Sequence, residues 1–229
     1  MLSFMRENSG GAAMKTAAFI TIKLNSERLP NKNILPLGDH PLSWHICSTL
    51  LNCRTIDEIY IYCSEERIME YVPRHERLIF RKRDKRLDGS LIRAQDTYSA
   101  FIGEVDADIY LAALTTAPFL SSASIDHGVE QVLSGAYDSA FSAQKLQTFA
   151  WYKGEPLNYS PERIPRTQDM EPVYIETSGF FAFKRELWTT HQRRIGFRPY
   201  LQLVDQVEAI DIDTKEDYEF AQRVMIARR

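Results

Sequence analysis

The segment AAFITIKLNSERLPNKN, residues 17–33, decides the fold. Its first seven residues, Ala17–Lys23, form a short apolar, β-branched run that is typical of a buried strand. The residues that follow, Leu24–Gly38, lack helical periodicity and include Pro30 and Pro36, so they are predicted to form a long loop. In an open parallel sheet, ligands bind at the carboxyl ends of the strands, which makes this loop the expected place for chemistry.

This first loop contains no glycine between Lys23 and Leu37. Both the Walker A loop and the dinucleotide fingerprint need glycines here, so the sequence argues against these two nucleotide-binding classes. The loop offers cations and neutral donors instead, an arrangement that suits an oligophosphate with its many acceptor oxygens. These side chains are Lys23, Asn25, Ser26, Arg28, Lys32 and Asn33.

Downstream of this loop, strand-like and helix-like segments alternate. Strands are predicted over Ile59–Cys63, Leu78–Arg81, Asp108–Leu114, Ser139–Ala143, Gly179–Phe183 and Val207–Ile212. Helices are predicted over Pro41–Leu51, Glu65–Tyr71 (capped by Ser64), Ile92–Ile102, Ser122–Leu133, Arg185–Thr190 and Lys215–Ala227. Such alternation indicates an α/β domain of the Rossmann-like type, with a mostly parallel sheet and helices on both faces.

Composition restricts the classes of protein that this chain can represent. Its 229 residues are 44% hydrophobic and 26% charged, which is ordinary globular usage and excludes a disordered chain. The net charge of −3 does not indicate a nucleic-acid-binding protein. No apolar run approaches the roughly 18–20 residues that a membrane span needs. Cys47, Cys53 and Cys63 are too few for a disulfide framework, so we predict reduced thiols in a cytoplasmic protein.

Two segments fall outside the regular alternation. Residues 1–14 are predicted to be a flexible leader, followed by a single domain over residues 15–229. Residues 144–178 are too long for a structureless connection and carry aromatic residues among polar ones. We predict a hairpin or arm that packs on a second subunit and gives a homodimer. The alternative is that these rings cover the domain's own sheet.

Charge is unevenly distributed along the chain. Residues 74–93 carry eight Arg or Lys against three acids, and residues 205–217 carry six acids against Lys215. Either cluster can be a solvated face. The alternative is that one end of the chain offers cations to phosphate while the other offers carboxylates to a metal.

Several short elements occur in a characteristic order from Lys15 to the end of the chain. They are Ser26, Arg28, Leu29, Pro30, Lys32 and Asn33 in the first loop, then Leu37–Leu42, Arg83 before Leu87–Asp88, Thr116–Phe119, Pro165–Gln168, Thr177–Phe180 and Ile210–Asp217. This ordered set resembles the cytidylyltransferases that activate acidic sugars, a family that includes CMP-sialic acid and CMP-KDO synthetases.

The resemblance implies a fold of the nucleotide-diphospho-sugar transferase type and a definite reaction. The anomeric hydroxyl of the sugar attacks the α-phosphorus of CTP and displaces pyrophosphate, with CTP and an acidic sugar as substrates and Mg²⁺ as cofactor. The implied nucleotide-binding residues are Lys23, Asn25, Ser26, Arg28, Lys32, Arg83, Asp88 and Ser90. The implied catalytic residues are Arg28, Lys32 and Asp211, and the implied magnesium ligands are Asp211 and Asp213.

The spacing of Asp211 and Asp213 agrees with a metal site. The two acids are two residues apart at the end of a predicted strand, so both side chains point to one face. Carboxylate oxygens suit a hard cation such as Mg²⁺. The alternative is that Asp213 or Thr214 caps the following helix, and Asp217 is predicted to lie on the helix surface.

Four further residues are candidates for binding the acceptor. Arg166 and Gln168 could clamp the carboxylate of an acidic sugar, since Arg offers a bidentate match to that group. Lys145, at a predicted strand end, is a further candidate, and Glu176 could orient a sugar hydroxyl. A loop contact, a subunit interface or a salt bridge is the structural alternative for these residues. The five histidines are interpreted as structural or solvated.

The chain departs from the family pattern at several positions. Lys23 replaces an arginine, Leu24 and Asn25 replace two glycines, Glu27 replaces a basic residue, and Leu114 replaces a glutamine. Two other functions therefore stay open. The first is cytidylyl transfer to another anionic acceptor, such as a phosphonate. The second is a nucleotide- or sugar-binding homologue with impaired catalysis, which the retained acids oppose.

Overall fold

The computed structural model describes residues 14–26 and 28–228. Of the predicted leader, residues 1–13 lie outside the described chain, whereas Met14 packs against the apolar core. The backbone N–H of Lys15 donates to Asp108 Oδ2 at 2.7 Å, which fixes the chain where the first strand begins.

Strands and helices alternate through the described residues. The strands are β1 Thr16–Ile22, β2 Pro36–Leu37, β3 His40–Pro41, β4 Glu58–Cys63, β5 Leu78–Lys82, β6 Ile109–Ala113, β7 Ser139–Leu146, β8 Trp151–Tyr152, β9 Glu155–Pro156, β10 Val173–Lys184 and β11 Pro199–Leu203. The α-helices are α1 Leu42–Leu51, α2 Ala94–Glu104, α3 Ser122–Leu133, α4 Arg185–His191 and α5 Lys215–Ala227. Short 3-10 helices are formed by Lys32–Ile34, Glu66–Tyr71, Lys85–Asp88 and Thr167–Asp169.

Seven of these strands form one sheet, in the order β11-β7-β10-β6-β1-β4-β5. The pairs β6–β1, β1–β4, β4–β5 and β7–β11 are parallel, whereas β10 runs antiparallel to both of its neighbours. All residues of β1 except Thr21 are buried. The predictions of a buried first strand and a mostly parallel sheet are therefore confirmed.

Side chains of β1 alternate between the two faces of the sheet. Ile20 and Ile22 pack in a cluster with α1 and α3, whereas Ala17 and Phe19 pack in a second cluster with α2 and α4. The Phe19 ring stacks on Phe101 of α2, with ring centroids 4.4 Å apart. Helices thus cover both faces as predicted, and the apolar area that they bury supplies the main driving force for folding.

One predicted strand is wrong. Val207–Ile212 forms a turn followed by a segment without regular secondary structure, and the strand at this edge of the sheet is β11, which precedes it. Ile210 and Ile212 are apolar because they pack in a cluster with α5. The backbone N–H of Ile212 donates to Thr116 O at 2.9 Å. Their alternation therefore reflects packing of a non-strand segment against a helix.

One predicted helix is a 3-10 helix in the structure. The segment Glu65–Tyr71 forms a 3-10 helix over Glu66–Tyr71, and Ser64 does not cap it. Ser64 Oγ donates instead to Asp88 Oδ2 at 2.5 Å. The hydroxyl of Ser64 therefore serves the loop after β5, while the other predicted helices agree with the structure to within two residues.

The segment 144–178, here called the arm, has a structure of its own. β7 and β10 continue into it as a two-stranded ribbon, and β8 and β9 form a short hairpin. The rings of Phe149 and Trp151 pack on Tyr159, with centroids 4.8 and 6.3 Å away. Trp151 is 60% exposed and Tyr152 is 62% exposed, so these rings project from the domain rather than cover its sheet. A dimer contact through the arm stays a prediction.

The cysteines are unpaired, as predicted. Cys47, Cys53 and Cys63 are free and buried, and burial raises the pKa of the Cys47 thiol. The predicted cytoplasmic location is not tested by this observation. Across residues 14–26 and 28–228, no helix has the length and apolar character that crossing a membrane requires.

We expect Gly128→Ala to lower the free energy of unfolding by about 1–3 kcal/mol, because overpacking a close-packed core costs that much. Gly128 lies on α3, and a Cβ added there would be 2.6 Å from Cζ of the buried Phe180. The control is Gly103→Ala on α2, where an added Cβ meets nothing within 4 Å and should stabilise by up to about 1 kcal/mol. Urea unfolding compares the two variants, and equal values would contradict this packing.

Candidate functional site

A polar pocket opens at the carboxyl ends of β1 and β6. It consists of a cavity of about 350 Å³ and an adjoining cavity of about 240 Å³ that share four residues of the first loop; together we call them the loop pocket. The shared residues are Lys23, Ser26, Arg28 and Lys32. The larger cavity adds Thr21, Asn33, Arg83, Thr97, Leu114, Thr115, Thr116, Ser178, Asp211 and Asp213, and the smaller adds Asn25, Leu29, Asp88 and Ser90. The first loop and the paired aspartates therefore meet in one pocket.

Two leucines and an asparagine anchor the first loop. Leu24 is 4% exposed and packs in the core, and Leu29 packs in the cluster around α5. Asn33 Nδ2 donates to Lys23 O at 2.6 Å, and Asn33 Oδ1 accepts from Thr115 Oγ1 at 2.5 Å. Because Leu24 turns into the core, its replacement of a glycine leaves the pocket open.

Asp213 joins the C-terminal segment to the first loop. Its Oδ1 accepts a hydrogen bond from Lys32 Nζ at 2.9 Å, and its Oδ2 pairs with Arg28 Nη1 at 2.8 Å. Lys32 Nζ also donates to Ile212 O at 2.9 Å. Burial opposes the ionisation of Asp213, but Lys32 and Arg28 outweigh it and hold the pKa of this carboxyl below its usual range. Asp213 is therefore an ionised anchor for two cations.

Asp211 lies in the same pocket in a different electrostatic state. Burial raises the pKa of its carboxyl, and the charge of Asp213 adds to this effect against a hydrogen bond with Thr116. Asp211 Oδ1 is buried and has no hydrogen-bond partner in the described part of the chain. Ile212, between the two acids, is fully buried, whereas both acids line the pocket, as their spacing of two predicts.

Thr214 caps α5, which was one of the two capping alternatives. Thr214 Oγ1 accepts from the Asp217 N–H at 3.2 Å, and Asp217 Oδ2 accepts from the Thr214 N–H at 2.8 Å, which forms a capping box. Asp217 Oδ2 also accepts from the Asp213 N–H at 3.1 Å. Asp217 lies on α5 and is partly exposed, as predicted, and its carboxylate also holds the backbone that carries Asp213.

Besides Arg28 and Lys32, three of the predicted nucleotide contacts, Lys23, Arg83 and Asp88, have protein partners. Arg83 is 1% exposed, and its Nη2 donates to Asp88 Oδ1 at 2.5 Å. Lys23 Nζ donates to Gly89 O at 2.9 Å. Of the basic cluster over residues 74–93, Arg83 is the one cation that borders the loop pocket within the described residues. The cluster as a whole is therefore not a single phosphate-binding surface.

The four acceptor candidates lie in the arm and do not line the loop pocket of their own chain. These residues are Lys145, Arg166, Gln168 and Glu176. Two of them form ion pairs, Arg166 with Asp169 at 2.7 Å and Glu176 with Arg194 at 2.9 Å. Within one chain, Arg166 and Glu176 therefore form the salt bridges that were the structural alternative. The role of all four residues in acceptor binding stays a prediction.

Four lining residues, Thr21, Thr97, Thr115 and Ser178, were not singled out from the sequence. The threonines carry only neutral hydroxyls and belong to no motif, so nothing in the pattern marks them. Ser178 does carry a sequence signal, because it precedes a glycine in one of the matching elements. In the structure it adopts a φ of 51°, which is uncommon for serine. Leu114, one of the departures, does line the pocket, whereas Glu27 lies outside the described residues.

The residues present fit a magnesium ion only in part. Among the residues that the structure describes, no group of three or more His, Cys, Asp or Glu is placed to hold a metal. Asp213 already uses both oxygens on cations, whereas Asp211 Oδ1 is buried and unpartnered. Because Mg²⁺ commonly takes one or two carboxylates and completes its shell with phosphates and water, Asp211 fits an ion that arrives with a triphosphate. None of the five histidines lines the loop pocket.

Comparison with known proteins places this geometry in a family. The family model described as "Cytidylyltransferase" matches residues 17–228. The chain is 25% identical over 219 residues to N-acylneuraminate cytidylyltransferase A of Danio rerio, covering 91% of this chain and 50% of that protein. It is 23% identical over 222 residues to a pseudaminic acid cytidylyltransferase of Campylobacter jejuni, covering 91% and 95%. The chain spans about half the length of the N-acylneuraminate relatives that it matches.

Two solved structures share the fold. One is a CMP:2-keto-3-deoxy-manno-octonic acid synthetase complexed with CTP, with a TM-score of 0.67 and 17% identity over 94% of this chain and 100% of that chain. The other is a 4-diphosphocytidyl-2C-methyl-D-erythritol synthase from Anaerococcus prevotii, with a TM-score of 0.64 and 13% identity over 94% and 97%. At these identities the likeness confirms the predicted fold type and carries no residue roles.

We expect Asp213→Asn to lower the free energy of unfolding near pH 7 by about 1 kcal/mol, a modest value because the Asp213 side chain is 34% exposed and solvent screens its ion pairs. The folded pKa of Asp213 is depressed, so its contribution is complete above the unfolded value of about 3.9 and is lost as pH falls through the folded pKa. Urea unfolding with a chelator present, near pH 7 and near pH 3, measures this difference.

The control for this prediction is Glu219→Gln, which removes one acid from the exposed pair between Lys215 and Glu219 on α5. We expect it to leave the free energy of unfolding nearly unchanged at both pH values. An Asp213→Asn effect of equal size at both pH values would contradict an ionic role for Asp213.

Proposed function

The chain belongs to the cytidylyltransferase family, and we propose that it transfers CMP from CTP to the anomeric hydroxyl of an acidic 2-keto sugar, with release of pyrophosphate. The observation that carries this proposal is the meeting of the cationic first loop and Asp211 in one pocket. Nucleotidyl transfer depends on aligning the substrates and on neutralising phosphate charge, and these two elements supply what it needs.

Arg28 and Lys32 are the proposed partners of the triphosphate. Each pairs with Asp213, whose single negative charge does not neutralise two cations. The loop pocket therefore keeps positive charge beside the neutral donors Asn25 and Ser26. We assign Arg28 and Lys32 a catalytic role because negative charge grows on the pyrophosphate as it leaves, and fixed cations stabilise that charge.

Asp211 is the proposed ligand of Mg²⁺, through the buried oxygen that has no partner among the described residues. When bound, Mg²⁺ withdraws electron density from the phosphate and lowers the pKa of a coordinated hydroxyl. Asp213 would be available as a second ligand once the phosphates replace it on Lys32 or Arg28. Asp211 and Asp213 thus have different roles before nucleotide binds.

The reaction forms one oxygen–phosphorus bond and breaks another. The anomeric oxygen attacks the α-phosphorus, the bond to the pyrophosphate oxygen breaks, and the hydroxyl loses its proton. Thr97, Leu114 and Ser178 line the part of the larger cavity that the smaller cavity does not share. We assign the acceptor to this part, because the shared part holds the first-loop cations.

The names of similar proteins support an acidic acceptor. The relatives are named for N-acylneuraminate and pseudaminic acid, and one structural neighbour is named for 2-keto-3-deoxy-manno-octonic acid. An acidic sugar needs a cation for its carboxylate. In the acceptor part of the pocket the described chain offers only Arg83, whose guanidinium is buried against protein.

We further propose a homodimer in which the arm supplies that cation to the partner's pocket. Lys145 and Arg166 are exposed on the arm and do not reach the loop pocket of their own chain. The exposed rings of Trp151 and Tyr152 offer apolar area for a subunit contact. A contact between arms would place these cations, with Gln168, near a second chain.

We expect pyrophosphate release from CTP only when Mg²⁺ and an acidic 2-keto sugar are both present. Asp211→Asn should lower kcat about a hundredfold or more, because the amide keeps the shape but loses the ionic ligand. A panel of acceptors that includes N-acylneuraminate, pseudaminic acid and a phosphonate, with pyrophosphate as the readout, tests this.

The control is Asp205→Asn, which changes an acid in the same tail segment that does not line the pocket and should keep full activity. Release with the phosphonate alone would replace the proposed acceptor. CTP binding by calorimetry with no release for any acceptor would identify a non-catalytic binder and overturn the proposal.

We expect two inactive variants to restore activity when mixed. One carries Asp211→Asn, and the other carries Lys145→Ala with Arg166→Ala. If the arm completes the partner's pocket, half of the dimers in an equal mixture are mixed and each has one intact site, so about a quarter of the wild-type activity should return. Activity no greater than the sum of the separate variants, or a monomer by light scattering, would contradict the shared site.

A further inference from the structure

The loop between β5 and α2 begins with a buried ion pair. Arg83 is 1% exposed, and its Nη2 donates to Asp88 Oδ1 at 2.5 Å and to Ile22 O at 2.8 Å. Its Nη1 donates to Tyr62 O at 3.3 Å. Ile22 ends β1 and Tyr62 lies one residue before the end of β4, so the guanidinium joins the carboxyl ends of two strands to Asp88.

Asp88 uses both of its carboxylate oxygens on protein. Oδ1 receives Arg83, and Oδ2 accepts from Ser64 Oγ at 2.5 Å. The Asp88 side chain is 12% exposed. Gly89 and Ser90, which follow it, are exposed, and Ser90 lines the smaller cavity of the loop pocket. The base of the turn is therefore fixed, while its tip borders the pocket.

The first loop holds the same turn from the other side. Lys23 Nζ donates to Gly89 O at 2.9 Å. Lys23 O in turn accepts from Asn33, which is bonded to Thr115 just after β6. Hydrogen bonds therefore run without a break from the end of β6, through the first loop, to the turn after Asp88.

The contacts of Arg83 differ from those expected of a side chain that binds phosphate. A side chain that binds phosphate presents donors to solvent or to the open pocket. The terminal nitrogens of Arg83 instead donate to two backbone carbonyls and a carboxylate, and its Nε is buried without a partner. A buried ion pair adds little net stability, because the cost of desolvating both charges offsets their attraction. The contacts of Arg83 instead tie Asp88 to the ends of two strands.

We propose that Arg83 and Asp88 are positioning residues, whose ion pair fixes the turn Asp88–Ser90 as a preformed wall of the loop pocket before nucleotide binds. The ordering of the turn does not depend on the proposed function. Its expected consequence, tighter binding of CTP, does rest on that function. A wall that is already ordered removes an ordering cost from binding. Loss of the pair should therefore loosen the turn and weaken CTP binding together.

The test is Asp88→Asn, which removes the charge and keeps one acceptor oxygen for Arg83, while its NH2 group can donate to the Ser64 hydroxyl. Amide hydrogen exchange of residues 86–93 without nucleotide should become about tenfold faster, and calorimetry should show CTP–Mg²⁺ binding weakened about tenfold, as a loss of preorganisation predicts. The matched control is Asp84→Asn, which removes the same charge from the same loop. Asp84 pairs with the side chain of Arg86, which is 90% exposed. Asp84 Oδ1 also accepts from the Arg86 N–H at 2.9 Å, and the amide oxygen of Asn can keep this bond, so both readouts should stay at the wild-type values.

A second variant, Arg83→Lys, keeps the positive charge but loses the fork that reaches two carbonyls and Asp88 at once. It should reproduce the exchange phenotype of Asp88→Asn, which a purely electrostatic contact to CTP would not do. Wild-type exchange rates in Asp88→Asn, or equal effects of Asp88→Asn and Asp84→Asn on CTP binding, would overturn the proposal. If the wild-type protein binds no CTP, the proposed function fails, while the exchange rates still decide whether the pair orders the turn.

Discussion

The carboxylate of Asp213 is the contact on which the site depends. It holds Lys32, 181 positions earlier in the chain, and Arg28 beside it, so the first loop and the C-terminal segment cannot move independently. Two cations this close would repel each other, and a shared carboxylate between them offsets that repulsion. Because the pair is partly exposed, it adds little stability. Its consequence is geometric, since it places a cationic loop opposite Asp211.

The contacts around Asp213 also fix the position of Asp211. The Asp217 carboxylate accepts from the backbone N–H groups of residues 213 and 214, and Thr214 Oγ1 accepts from the Asp217 N–H, which closes the first turn of α5. Ile212 is fully buried between the two acids and bonded to Thr116. Asp211 is therefore held in the pocket with a buried oxygen that lacks a partner in the described chain, and such atoms are rare in folded proteins. In the proposed reaction, a cation bound with the substrate would satisfy that oxygen.

The sequence predicted the position of a residue well where spacing along the chain decides it. It predicted contacts poorly where the partners lie far apart in the chain. The buried run of β1 and the shared side of Asp211 and Asp213 follow from short-range spacing, and the structure confirms both, although the two acids follow a turn rather than a strand. Val207–Ile212 was mistaken for a strand because alternation looks the same whether a segment pairs in a sheet or lies against a helix. The partners of Arg83 and Asp88 come from three separate strands and loops, so no local pattern reveals them.

The glycine-free first loop explains why cations dominate this pocket. A glycine-rich loop binds phosphate through backbone N–H groups that approach it closely. Here Leu24 and Leu29 are buried instead, and the left-handed turn falls at Asn31, with a φ of 56°, a conformation that asparagine tolerates better than most residues. The loop is thus anchored by apolar burial, which leaves phosphate recognition to side chains. Cationic side chains reach farther than backbone amides, but their positions have to be fixed. The carboxylate of Asp213 binds both Lys32 and Arg28 and so fixes them. The departures from the family pattern at Leu24 and Asn25 therefore accompany a change in how the loop is built, and they do not by themselves indicate that it has lost its ligand.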